Sequence, residues 1–200
     1  LISGVRNEIF YTNNYGTILN GSGHSMNYGN FNTIIQGNDH TNYNVRRSTI
    51  INGFENTNRL GSYLIIGSGK QNTNFSASAS TIINGFFNRN ETGTYQFIGN
   101  GLSQTASTSN FSTLLNGDSN IITNNNFSTI INGTLNNIKT GADNSSILGG
   151  SNHTIDNNAY NSAIIGGNAY TVTTNNTVMV PRLNIRDTTG IPLSILGIDA

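Results

Sequence analysis

A pair of adjacent large apolar residues, followed in all but the first copy by Asn, Gln or Gly and usually then by Gly, recurs eleven times in this 200-residue chain. The pairs begin at Leu1, Ile18, Ile34, Ile50, Ile65, Ile82, Phe97, Leu114, Ile130, Ile147 and Ile164, at intervals of 15 to 17 residues. No other feature restricts the fold so strongly. A unit this short cannot bury a hydrophobic face by itself and must stack on its neighbours.

The flanks of the pair repeat too. Two positions before it stands Ser (Ser48, Ser80, Ser112, Ser128, Ser145, Ser162), and one before stands Thr (Thr17, Thr33, Thr49, Thr81, Thr113, Thr129). Gly falls three after the first member, at Gly4, Gly21, Gly37, Gly53, Gly85, Gly117, Gly133, Gly150 and Gly167. The copies at Ile65 and Phe97 depart from this, with Gly67 and Gly69, then Gly99 and Gly101. Six after come Asn7, His24, His40, Asn56, Gln71, Asn88, Ser103, Asn120, Asn136, His153 and Tyr170. Eight after come Ile9, Met26, Ile122, Ile138, Ile155 and Val172, a column that lapses in the middle at Asn42, Asn58, Thr73, Asn90 and Thr105.

About 16 residues are too few for two helices and their turns. β-branched Thr and Ile bounded by Gly and Asn predict a short strand and a turn, and the Asn-x-apolar segment predicts a second strand. Two strands and two turns make one coil of an all-β, parallel β-solenoid or β-roll over residues 1–176. At ~4.8 Å per coil the rod is roughly 50 Å long. Gly and Asn at the corners supply the positive φ that tight turns require.

The pair also bears on assembly. Consecutive strand residues point to opposite faces. In Ile18-Leu19, Ile34-Ile35, Ile50-Ile51, Ile65-Ile66, Ile82-Ile83, Leu114-Leu115, Ile130-Ile131, Ile147-Leu148 and Ile164-Ile165, therefore, one member fills the roll and the other forms an apolar stripe outside. Such a stripe calls for another chain, most simply identical copies around a symmetry axis. The alternative is a wider solenoid that buries both members.

Composition excludes several classes. Charged residues are 9%, against about 25% in ordinary domains. Only 2 Pro accompany 37 Asn and 23 Gly, which is not the charge- and Pro-rich signature of disorder. Nine basic and nine acidic residues cancel, so nucleic acid is not an expected partner. No apolar run approaches the ~20 residues of a membrane span, so membrane insertion is not expected. Without Cys there is neither disulfide framework nor thiolate metal site.

The pattern Ser-x-Ile-Ile-Gly-Gly-x-x-x-x-Ile, approximated at Ser145–Ile155 and Ser162–Val172, resembles the head repeats of trimeric autotransporter adhesins and, more closely, those of phage tail fibres and related receptor-binding fibres. The resemblance implies a homotrimer of left-handed β-rolls, extracellular on a virion tail or cell surface, with a host glycan or protein receptor. Residues 177–200, with Val178, Val180, Leu183 and Ile185 alternating with polar residues, look like the strand-rich connector that follows such repeats. The abrupt start at Leu1 and the end at Ala200 read as a piece of a longer chain.

The same columns hold the residues of candidate chemistry. The acids (Glu8, Asp39, Glu55, Glu91, Asp118, Asp143, Asp156, Asp187, Asp199) fall at most one to a coil interval and are expected in different columns, with no pair for glycoside hydrolysis. His24 and His40, in consecutive coils, are weak metal candidates, although the Asn and Gln of their column favour a polar ladder. Gly67-Ser68-Gly69-Lys70-Gln71 fails as a phosphate loop for want of a Ser or Thr after Lys70. Tyr15, Phe31, Phe111 and Phe127 read as corner packing. Tyr63 and Tyr95, in the two deviant coils, are the first choice for sugar contact and mark the expected place of a bulge or loop. The expectation is a non-enzymatic structural or adhesive fibre segment without cofactor. A fibre-borne polysaccharide depolymerase is second, and an ice-binding solenoid, suggested by the Thr column with gaps at Leu64 and Gln96, is third.

Overall fold

A computed structural model describes residues 4–10 and 13–182. Over them the chain winds as a parallel β-solenoid of about 11 coils, with strands in two sheets of 12 and 11 and no α-helix among the described residues. Each strand pairs with the equivalent strand one coil away. The first sheet contains Ser25–Asn30, Thr41–Arg46 and Thr57–Ser62, and the second contains Thr33–Ile34, Thr49–Ile50 and Thr81–Ile82. Val178–Met179 continues the second sheet, in register with Ala163–Ile164. The pair at Leu1 and the connector beyond residue 182 lie outside the described residues.

The ladder corrects the spacing at two coils. Ile18, Ile34, Ile50, Ile66, Ile82, Ile98, Leu114 and Ile130 are mutual partners, 16 residues apart throughout. Ile65 and Phe97 therefore do not begin inward pairs. They stand in the Thr column beside Thr49, Thr81 and Thr113, and the 15-residue intervals disappear together with the expected bulge. The other columns shift accordingly. Asn72 and Gln104 replace Gln71 and Ser103, while Asn74 and Ala106 replace Thr73 and Thr105. The cause is the two-residue strand period. When Thr-Ile-Ile becomes Ile-Ile-Gly or Phe-Ile-Gly, two apolar residues remain adjacent, but the inward one is now second.

Within each true register the faces separate as strand geometry demands. The inward residues, from Ile18 to Ile164, are fully buried. Of their successors, Ile51, Ile83, Leu148 and Ile165 keep 44%, 46%, 41% and 44% of their surface exposed, so the wider solenoid that buries both members is not formed.

The opposing inward column, on the first sheet, changes character along the rod. It runs Met26, then Asn42, Asn58, Asn74 and Asn90, then Ala106, Ile122, Ile138, Ile155 and Val172, all buried. Burying amides among Ile side chains is unfavourable unless they are bonded. Here each Nδ2 donates to the Oδ1 one coil earlier: Asn58 to Asn42 at 3.2 Å, Asn74 to Asn58 at 2.9 Å and Asn90 to Asn74 at 2.9 Å. The same Nδ2 groups reach carbonyls on the opposite sheet, Thr49, Ile65 and Thr81, at 3.1–3.3 Å. The two sheets are thus stitched through the core.

Corners repeat as regularly. Gly53 takes φ 109°, and a Cβ there would sit 2.1 Å from the Gly69 carbonyl oxygen and 2.6 Å from Asn56 Nδ2. Interior volume is traded between neighbours as well. Gly61 lies against Leu64 and Gly93 against Gln96, whereas Ala77 accompanies the smaller Ser80.

Replacing one rung of the Asn ladder should cost more per residue than replacing all of it. Asn74→Ala strands Asn58 Oδ1 and takes one partner from Asn90, and is expected to lower unfolding free energy by about 2–4 kcal/mol. Changing Asn42, Asn58, Asn74 and Asn90 together to Ile or Val should cost less than four times that value. Denaturant titration of both variants measures the difference.

Candidate functional site

Side chains of candidate chemistry sit at the two corners of the coil and on the outer faces. At the first corner, Asn Nδ2 donates to the carbonyl four residues back and to a Gly carbonyl of the next coil. Its Oδ1 accepts the backbone N–H of its successor one coil on. Asn56 does all three, with Asn52 O, Gly69 O and Asn72 N–H, each at 3.0 Å. His24, His40 and His153 imitate it. Their Nδ1 atoms accept the backbone N–H of His40, Asn56 and Tyr170 at 3.1–3.2 Å, and His24 Nε2 donates to Asn20 O. Because the backbone N–H can only donate, these imidazoles are neutral and protonated at Nε2.

The His24 and His40 rings stack with centroids 5.0 Å apart, but their Nδ1 atoms are engaged in the corner. Among the described residues no three His, Cys, Asp or Glu converge where a metal could sit. Burial, reinforced by neighbouring His24, pushes His40 down to about 4. Burial also lowers His24, against the Asn20 carbonyl and Asp39, and lowers His153.

The second corner carries the rings. In the corrected register Tyr63 and Tyr95 share one column with Tyr15, Phe31, Phe111 and Phe127, each three residues before an inward apolar residue. All six have positive φ and are 48–76% exposed, so they pack at the corner on its outer side. They point outward and stack on one another. Tyr15 and Phe31 lie 4.8 Å apart, Tyr95 and Phe111 4.8 Å, and Phe111 and Phe127 4.9 Å, all within 12° of parallel. Arg47 occupies the rung between Phe31 and Tyr63, its guanidinium 5.9 and 5.3 Å from the two ring centres, and it donates to the Tyr63 hydroxyl.

Three features escaped the sequence reading. Arg59 lies 5.3 Å from the Tyr43 ring centre and 5.8 Å from that of Phe75 on the outer face of the first sheet, a cation–π ladder whose signal is the strict 16-residue spacing. Arg46 and Arg47 help line a shallow depression with Phe31, Ser62 and Tyr63. Asp39 and Glu55, expected in different columns, share one: each begins right after the Asn38–Phe54 bridge, with φ 54° and 53°. They stand on the convex first corner and line neither that depression nor the one formed by Thr41, Tyr43, Thr57 and Arg59. Hydrolysis needs carboxylates converging on a cavity. The Gly67–Gln71 segment is an ordinary corner, with Lys70 5.2 Å from the Phe54 ring centre.

The outer face of the second sheet carries an apolar ridge of Leu19, Ile35, Ile51, Ile83, Leu115, Ile131, Leu148 and Ile165. It passes through Gly67 and Gly99 at two coils, and there the large side chain appears one column over, as Ile65 and Phe97. No protein-family model matches the chain, and no curated protein is significantly similar to it.

The histidines set a pH response. Unfolded, they bind protons near 6.5; folded, only at lower pH, near 4 for His40. Between these limits the unfolded chain holds more protons, so stability is complete above about pH 6.5 and is lost as pH falls toward 4. The Tm should drop across that window. His24→Asn/His40→Asn/His153→Asn, which keeps the corner bonds, should remove most of the drop in thermal melts.

Proposed function

We propose that the chain is a non-enzymatic fibre segment, a rigid rod that packs against identical copies as a trimer and serves as the shaft or head of a phage tail fibre or bacterial surface adhesin outside the cell. It carries an adhesive surface or holds one in place. The observation behind this is the behaviour of the outer ridge at Gly67 and Gly99. A Cβ on Gly99 would lie 2.4 Å from Leu115 Cδ1 and 3.5 Å from the Phe97 ring, so neighbouring side chains already cover that position. Apolar bulk leaves one column and reappears in the next, keeping the ridge continuous from coil to coil. Water gives no reason to keep it, since exposed apolar surface brings a lone rod only a risk of aggregation. A partner following the same coil-by-coil rise gives one.

The other functions find less support. Acids do not gather in either depression, and the Thr column of an ice-binding face is broken by Ile65 and Phe97.

Light scattering tests the proposal. The wild-type particle should weigh three times the 21.4 kDa chain. Ile51→Asp/Ile83→Asp/Ile131→Asp, on the ridge, should yield a monomer with an unchanged β circular dichroism spectrum. The same changes at the buried Ile50, Ile82 and Ile130 should abolish the fold. A monomeric wild type would overturn the assembly.

A further inference from the structure

The ring ladder at the second corner omits a rung. Between Tyr63 and Tyr95 the column holds Ala79, and the whole coil there is small: Ser76, Ala77, Ser78, Ala79, Ser80. Tyr95 has one face covered by Phe111, and Tyr63 is held at its hydroxyl end by the Arg47 guanidinium. The face of Tyr95 away from Phe111 looks into the gap, Tyr63 borders the gap two coils away, and both residues are more than half exposed. We propose that this slot binds one ring of a neutral sugar whose hydroxyls are all equatorial, a deepening that rests on the adhesive part of the function above.

Shape and polarity select that guest. Two coil steps separate the tyrosines by about 10 Å along the rod. A flat aromatic guest, at 3.5–4.0 Å per contact, spans about 7–8 Å of this. The axial C–H bonds of a saturated ring take up the remainder. An all-equatorial pyranose presents those C–H bonds on both faces and its hydroxyls around the edge. The slot is the converse, two aromatic walls with an alanine floor. Its rim bears hydroxyls, with Ser62, Ser78 and Thr94 aligned on one side and Thr81 on the other. The rim residues include no carboxylate, which fits a site that holds sugar without cleaving it. Nucleic acid is disfavoured, because its binding depends on a row of basic residues along the phosphates. Arg46 and Arg47 lie on one side of the slot only, and the column beyond Tyr95 continues through Phe111, Phe127 and Asn144 without a cation.

Cellotetraose is the probe, titrated against the whole chain with calorimetry and tyrosine fluorescence; the chain has no Trp to mask the signal. Tyr63→Ala and Tyr95→Ala should each weaken binding at least tenfold. Ala79→Tyr should abolish it by filling the missing rung while leaving the particle mass unchanged, since Tyr is already found elsewhere in that column. Phe127→Ala should bind as wild type. Absence of cellotetraose binding to wild type, retention of it by Ala79→Tyr, or by both Tyr variants, or tighter binding of adenosine monophosphate would each overturn the slot. Should Ala79→Tyr not fold, the two Tyr→Ala variants decide. Light scattering on the same samples separates the two proposals. A trimer that binds no sugar keeps the fibre and rejects the slot, and a monomer that binds through Tyr63 and Tyr95 does the reverse.

Discussion

Bonds between equivalent positions of successive coils are what the rest of this molecule depends on. A 16-residue coil encloses little apolar volume, and 34% hydrophobic residues could not supply a conventional core. What the chain does instead is repeat its polar groups in register, so that most backbone and Asn groups find a partner one coil away. The backbone does this in the two sheets, the Asn and His side chains at the first corner, and the Asn42–Asn90 ladder in the interior. A buried amide that would be costly alone becomes a link when it is stacked on its like. Histidine is admitted on the same terms, as a neutral ring whose Nδ1 stands where an Asn Oδ1 would.

This explains which parts of the fold were legible in the sequence. The period, the strand content and the inward–outward division of each pair follow from side-chain size and strand alternation, and these survive in a single chain. The register at Ile65 and Phe97 was not legible, because a pair of apolar neighbours looks the same whether its first or its second member points inward. Only hydrogen bonding to Ile50, Ile82 and Leu114 distinguishes them. That one-residue slip scattered three columns. It hid Asn74 in the interior ladder, so Asn42, Asn58 and Asn90 read as lapses of an apolar column rather than as a chain of bonded amides. It also separated Tyr63 and Tyr95 from the aromatic column to which they belong.

At the candidate site, sequence reasoning chose Tyr63 and Tyr95 for the wrong local reason, an expected bulge. Their distinction lies in what is missing between them. Arg47 could be placed only once its column was known, since a guanidinium in a row of rings has no sequence motif beyond its spacing. The shared column of Asp39 and Glu55 was readable in principle, both standing five residues after the first member of a pair, and was overlooked.

A rod of stacked coils has few ways to make a site. It cannot easily fold a loop over a cavity, because each coil is constrained by the two beside it. It can omit or shift a side chain within a column without disturbing the backbone register, and both devices occur within coils 63–99. Moving bulk from Gly67 to Ile65 and from Gly99 to Phe97 preserves the outer ridge, while dropping the ring at Ala79 opens a notch in the aromatic edge. The first change is neutral for a surface that must stay continuous, as packing against another rod requires. The second interrupts a column that also carries Arg47 and, farther along, Asn144, Asn161 and Asn176. Under the two proposals the faces would serve different partners, a second-sheet ridge kept even for contact with copies of the chain and a corner ladder interrupted where a small ligand would enter.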